Sequence, residues 1–86
     1  MIKGIDHPAL AVKDVQKIAQ WYIEHLGFRE YYFDNEKPVS ILEAPDGSLL
    51  EIMPEDGSQR PQRNTRTPGF SHLAFRVDNL EESIKA

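Results

Sequence analysis

Two histidines and a glutamate stand out by type and spacing. His7 lies in GIDHPALAVKDV, residues 4–15, and His72 in GFSHLAFRVDNL, residues 69–80. At an offset of 65 residues the two stretches match Gly4 with Gly69, His7 with His72, Ala9 with Ala74 and Val12 with Val77. Softer matches pair Ile5 with Phe70, Leu10 with Phe75 and Val15 with Leu80. Glu51 sits in Leu49-Leu50-Glu51-Ile52-Met53. On a strand it shares a face with Leu49 and Met53, where a carboxylate is costly unless a cation or a set of donors meets it. Two neutral imidazoles and one carboxylate leave coordination positions open, a set suited to a catalytic divalent metal: zinc, iron, manganese, nickel or cobalt. Plainer readings stand beside this one. Either histidine alone reads more readily as a hydrogen-bonded residue of a sheet wall, and Glu51 as an edge carboxylate reaching solvent or pairing with Arg76. Their recurrence at equivalent points of a repeat favours chemistry for the two histidines together.

The elements that must hold these residues follow from periodicity. From Gly4 to Val12 the alternation predicts a strand with His7, Ala9 and Ala11 on one face and Leu10 and Val12 on the other. Pro8 has no N–H to give a ladder and predicts an unpaired side or a bulge there. Asp14 is placed to cap a helix with apolar positions Val15, Ile18, Ala19, Tyr22 and Leu26, ended by Gly27. Three strands are then expected, Phe28–Phe33, Val39–Ala44 and Leu49–Met53, joined by the turns Asp34-Asn35-Glu36-Lys37-Pro38 and Pro45-Asp46-Gly47. The unit is βαβββ, its last three strands an antiparallel meander. Residues 1–53 form this first module, and 54–68, polar and carrying Arg60, Arg63 and Arg66, a linker. Residues 69–86 begin a second module, with a strand holding His72, Ala74 and Arg76 on one face and a helix capped by Asn79 with Glu82 three residues on. The expected class is α+β: paired modules, the second incomplete in this chain, forming a curled, antiparallel-rich sheet with helices outside.

Composition narrows the functions. The chain has 86 residues and no cysteine, so disulfides and thiol chemistry are excluded. A net charge of −4 disfavours a general nucleic-acid or anionic-membrane surface. Neither a secretory leader nor a bilayer-spanning run is expected, and the default compartment is the cytoplasm. Arg76, on the His72 face by parity, is a candidate contact for an anionic group of a small-molecule substrate. His25 near a helix C-terminus interacts with the dipole and is assigned no catalysis, while Trp21, Tyr31 and Tyr32 are more economically packing residues than pocket walls. An unpaired sheet edge predicts a homodimer.

HPALAV, the helix ending HLGF, the strand LLEIM and the restart SHLAFRVDNLEE together resemble the vicinal oxygen chelate superfamily. Its members include glyoxalase I, methylmalonyl-CoA epimerase, fosfomycin and bleomycin resistance proteins and extradiol dioxygenases. The resemblance covers nearly the whole chain and rests on the order and spacing of short motifs. It implies two βαβββ modules around one divalent metal, with His7 and Glu51 as ligands from the first module and His72 from the second. The fourth ligand, usually a glutamate, falls in strands this sequence does not contain. It further implies a metal-dependent lyase or isomerase of the glyoxalase or epimerase type, acting through an enediolate, with Glu51 also sharing in proton transfer. The alternatives are a metal-free ligand-binding or antibiotic-resistance protein of the same fold and a ring-cleaving dioxygenase.

Overall fold

The computed structural model describes residues 1–85, with side chains through Glu82. Its elements are β1 (Ala9–Val12), α1 (Val15–Leu26), β2 (Arg29–Asp34), β3 (Val39–Glu43), β4 (Leu49–Pro54) and α2 (Leu80–Lys85). The four strands form one open sheet in the order β1-β4-β3-β2. β1 runs parallel to β4, and the other two pairings are antiparallel. This is the expected α+β class, and the first βαβββ unit is complete.

α1 follows from local chemistry. Asp14 takes an extended conformation and its Oδ1 accepts from the Lys17 N–H at 3.1 Å, satisfying one of the helix's open donors. Gly27 turns the chain at φ 72°, where a side chain would be strained. Phe28 then folds back into the core, its N–H bonding the Tyr22 carbonyl at 3.4 Å. Val15 and Ala19 face the sheet and meet Leu42, Leu50 and Ile52 of β3 and β4, with Phe28 closing the end of the cluster. Leu42 and Ile52 are fully buried. Each such side chain contributes about 1.5–3 kcal/mol on leaving water.

Register decides what the other face carries. Ala9 lies opposite Glu51, Glu51 opposite Ile41, and Ile41 opposite Tyr32, so one row of side chains crosses the sheet away from α1. Leu49 and Met53 flank Glu51 on that face by alternation. Between Glu30 and Tyr32 the β2–β3 register shifts by a bulge, leaving Tyr31 and Tyr32 exposed on the outer strand.

Three expectations are corrected. β1 begins at Ala9 rather than Gly4, because Pro8 cannot donate and the one backbone bond that residues 1–8 make to the described sheet runs from Glu51 N–H to the Pro8 carbonyl, 3.0 Å. β1 joins β4 in parallel, so the sheet is mixed. The strand expected after Gly69 does not form: residues 55–79 contain neither helix nor strand. Leu73 packs instead on the core, and Phe75 meets Tyr22 and Phe28 edge-on at 6.2 and 5.8 Å between ring centres. The Arg63 guanidinium donates to the carbonyls of Thr67 and Pro68, at 3.1 and 3.0 Å, and shapes the turn into this segment. Asn79 does cap α2, its Oδ1 accepting from the Glu82 N–H at 3.0 Å. The final residue of the range 69–86 lies outside the described residues.

Candidate functional site

β1 and β4 are neighbours, and this places His7, just before β1, beside Glu51 in the middle of β4. The imidazole Nε2 lies 2.9 Å from Glu51 Oε1, and Nδ1 lies 2.7 Å from Asp6 Oδ2. Ionised carboxylates only accept, so holding both bonds makes the ring an imidazolium, donating from each nitrogen. The side chains of His7 and Glu51 are 29 and 22% exposed, half-sunk in the open face rather than projecting from it. The bond to Asp6, then the bond to Glu51, raise the His7 pKa above its ordinary 6.5, against a smaller lowering by burial.

Asp6 was invisible to a reading by strand parity, which sends neighbours to opposite faces. Residues 1–8 are not a strand, so parity does not apply and adjacent side chains can meet. The histidine itself, preceded by a carboxylate, was the available signal. An imidazole steadied at Nδ1 by a carboxylate has its Nε2 aimed and its tautomer fixed, the arrangement that commonly supports a metal-ligating histidine.

The other expected site residues lie elsewhere. His72 is exposed and its Nδ1 meets Ser71 Oγ at 3.1 Å. Arg76 does not pair with Glu51. It stands near Asp46, whose carboxyl is held below its ordinary value first by the Ser48 hydroxyl and more weakly by Arg76. Both line a surface cavity of about 840 Å³ with Phe28, Pro45, Phe75 and Glu82, and neither His7 nor Glu51 borders it. Trp21 packs against His25 with the rings tilted, 5.2 Å between centres, and is itself exposed.

A model of the Glyoxalase/Bleomycin resistance protein/Dioxygenase superfamily matches residues 4–86. The chain belongs to that superfamily. Over 91 aligned residues this superfamily member is 29% identical to the uncharacterized protein YwkD of Bacillus subtilis (strain 168), a match covering 99% of this chain and 70% of YwkD. An integron cassette protein from the mobile metagenome of the Halifax Harbour sewage outfall superposes with a TM-score of 0.74 at 26% identity, over 98% of this chain and 67% of that one. The fosfomycin resistance protein FosX of Listeria monocytogenes, solved with Mn(II) and 1S,2S-dihydroxypropylphosphonic acid, superposes with a TM-score of 0.71. At 22% identity, over 99% of this chain and 62% of FosX, that likeness is one of fold.

Members of the superfamily such as FosX bind a divalent metal. In this chain one imidazole nitrogen and one carboxylate oxygen of the kinds that ligate such ions meet, His7 from the segment just before β1 and Glu51 from β4. Among the described residues no group of three or more histidine, cysteine, aspartate or glutamate side chains is arranged to hold a metal ion. Among the same residues no helix is long and apolar enough to cross a membrane.

Proposed function

We propose that this chain is a metal-dependent lyase or isomerase of the glyoxalase and epimerase type, with His7 and Glu51 as two of the ligands. The observation that carries the reading is their convergence at 2.9 Å on the open sheet face, with Asp6 behind the imidazole. A divalent cation held there supplies Lewis acidity toward two neighbouring oxygens of a substrate. Asp6 keeps the imidazole oriented by accepting from Nδ1, so that Nε2 is the free donor once its proton has gone. Glu51 has one oxygen engaged by His7 and is the nearest base for a proton on the carbon next to a carbonyl. Ile41, Leu49 and Met53 surround it with apolar surface, which favours a small substrate with a compact oxygen-bearing end. A thiohemiacetal of a 2-oxoaldehyde and an acyl-CoA thioester both have that character. His72 joins the ligand set only if the segment around it moves, and Arg76, turned toward Asp46, has no part in this scheme.

Elemental analysis after dialysis tests the reading, with Co(II) absorption as a second readout. Retained metal that falls at least about tenfold in affinity in both His7→Ala and Glu51→Gln supports it. The parent binding no Mn(II), Zn(II) or Co(II) while still folded would instead favour the metal-free binding protein. Oxygen consumption with a catechol, rather than loss of a substrate proton to solvent, would favour the dioxygenase.

A further inference from the structure

Aspartate precedes glycine twice in this chain, at Asp46-Gly47 and at Asp56-Gly57. Both pairs are exposed, and both glycines take a positive φ, 89° at Gly47 and 86° at Gly57. In each pair the aspartate Oδ1 accepts from the N–H two residues on, Ser48 at 3.0 Å and Ser58 at 2.9 Å. Such a pair has a reaction of its own. The glycine nitrogen has no Cβ beside it for shielding, and it can attack the side-chain carboxyl carbon of the aspartate and close a five-membered ring. What separates the two pairs is the freedom of that nitrogen. Gly47 N–H donates to the Ala44 carbonyl at 2.9 Å, inside a turn closed by Ala44 N–H on the Ser48 carbonyl at 2.8 Å. The Ser48 hydroxyl also holds Asp46 Oδ1, at 2.6 Å, and β3 and β4 clamp this turn from both sides. Gly57 lies beyond the end of β4, and among the described residues nothing accepts from its N–H.

We infer that Asp56-Gly57 is a site of spontaneous covalent modification, where aspartate isomerises to isoaspartate, and that Asp46-Gly47 is protected by its hairpin. The Gly57 nitrogen loses its proton and bonds to Asp56 Cγ, and a carboxyl oxygen leaves as water with that proton. Water then opens the cyclic imide. Attack at Cγ restores aspartate, whereas attack at the main-chain carbonyl carbon of Asp56 leaves Gly57 bonded through Cγ, which is isoaspartate. The water lost is regained, nothing is oxidised or reduced, and no enzyme is required. The product has the same mass, but its main chain runs through Cβ and is longer by one carbon. Its place gives the change a consequence. Glu55, just before, donates its N–H to the Val12 carbonyl at 2.9 Å, at the end of the β1–β4 pairing. From there an irregular stretch leads to Leu73 and Phe75, docked on the core. Isoaspartate takes the acceptor away from Ser58 N–H and re-aims that stretch at its root.

Incubation of the full chain in warm, mildly acidic buffer tests this, followed by digestion with an endoproteinase that cuts before aspartate but not before isoaspartate. Peptide mass spectrometry then reads the two sites separately. The expected result is loss of cleavage before Asp56 several-fold faster than before Asp46, with label from heavy-oxygen water entering at Asp56. In urea, where the hairpin is gone, both sites should convert at similar rates. Asp56→Glu, whose ring would be larger and forms far more slowly, removes the product from the folded chain, and Gly57→Ala puts a Cβ beside the nitrogen and slows it. A folded chain in which Asp46 converts as fast as Asp56 overturns the protection. No conversion at Asp56 of the folded chain, over the time in which the unfolded chain converts, overturns the site.

Discussion

Residues 4–12 and 69–77 carry the same pattern of glycine, histidine, alanine and valine, yet only the first ends in a strand. The difference lies in what each finds beside it. β1 has the edge of β4 to bond and α1 to cover Leu10 and Val12. The later copy has no open strand next to it among the described residues, and its apolar side chains settle one by one on surface already built. Strand formation is thus decided by the neighbour more than by the residues themselves.

That contrast is sharpest in the core. Leu42→Ala opens a cavity under α1 and is expected to cost about 2–5 kcal/mol of unfolding free energy in urea titration. Leu73→Ala, removing a half-buried contact from the second copy, is expected to cost under about 1 kcal/mol. Equal losses would break the comparison and make 69–79 part of one cooperative unit.

The two helix caps provide a milder version. Asp14→Ala is expected to lower stability by about 1 kcal/mol, since α1 covers the sheet. Asn79→Ala removes a bond of the same kind from a six-residue helix and is expected to leave the thermal midpoint unchanged. A comparable drop from both would show α2 to be as integrated as α1.

Protonation of His7 couples the first copy to pH. The folded chain raises the His7 pKa, so the folded state holds this proton more firmly than the unfolded chain does. Below the ordinary value of 6.5 both states are protonated and the stabilisation is whole; it is lost as pH rises through the higher folded value. The metal-free thermal midpoint should therefore fall as pH climbs from 6.5 through that folded value, and Asp6→Asn should weaken the fall. NMR titration placing the His7 imidazole pKa at or below its ordinary value would contradict the structure.

The smallest effect is expected at Ser40. Its hydroxyl is buried and has no hydrogen-bond partner among the described residues. Ser40→Ala removes an unmet donor at little packing cost, so stability should stay within about 0.5 kcal/mol of the parent or rise.

Sequence reading recovered what local chemistry dictates. Asp14, the apolar spacing to Tyr22 and Gly27 specify α1, and the turn residues at 34–38 and 45–47 separate three strands that form close to where expected. Alternation also separated Leu10 and Val12 from Ala9 and Ala11 and grouped Glu51 with Leu49 and Met53; which face meets the core comes from the structure. Non-local facts were less accessible. That β1 pairs with β4 in parallel depends on where α1 carries the chain, and the contact of Asp6 with His7 depends on residues 1–8 being irregular. The repeat was visible in the letters, but its structural outcome was not, because a strand needs a partner that the pattern does not encode. Of the expected site residues, His7 and Glu51 come together, whereas the places of His72 and Arg76 follow from Phe75 and Leu73 docking on the helix side.

The bulge in β2 gives the sheet one regular margin and one irregular one. A sheet that extends by adding strands needs two compatible margins to grow without limit. At Glu30–Tyr32 the broken register offers no even row of backbone groups to template another strand, although the tyrosines there are exposed. Growth is therefore one-sided. Strand-by-strand addition at the β2 side is disfavoured by the same bulge that bares the tyrosines.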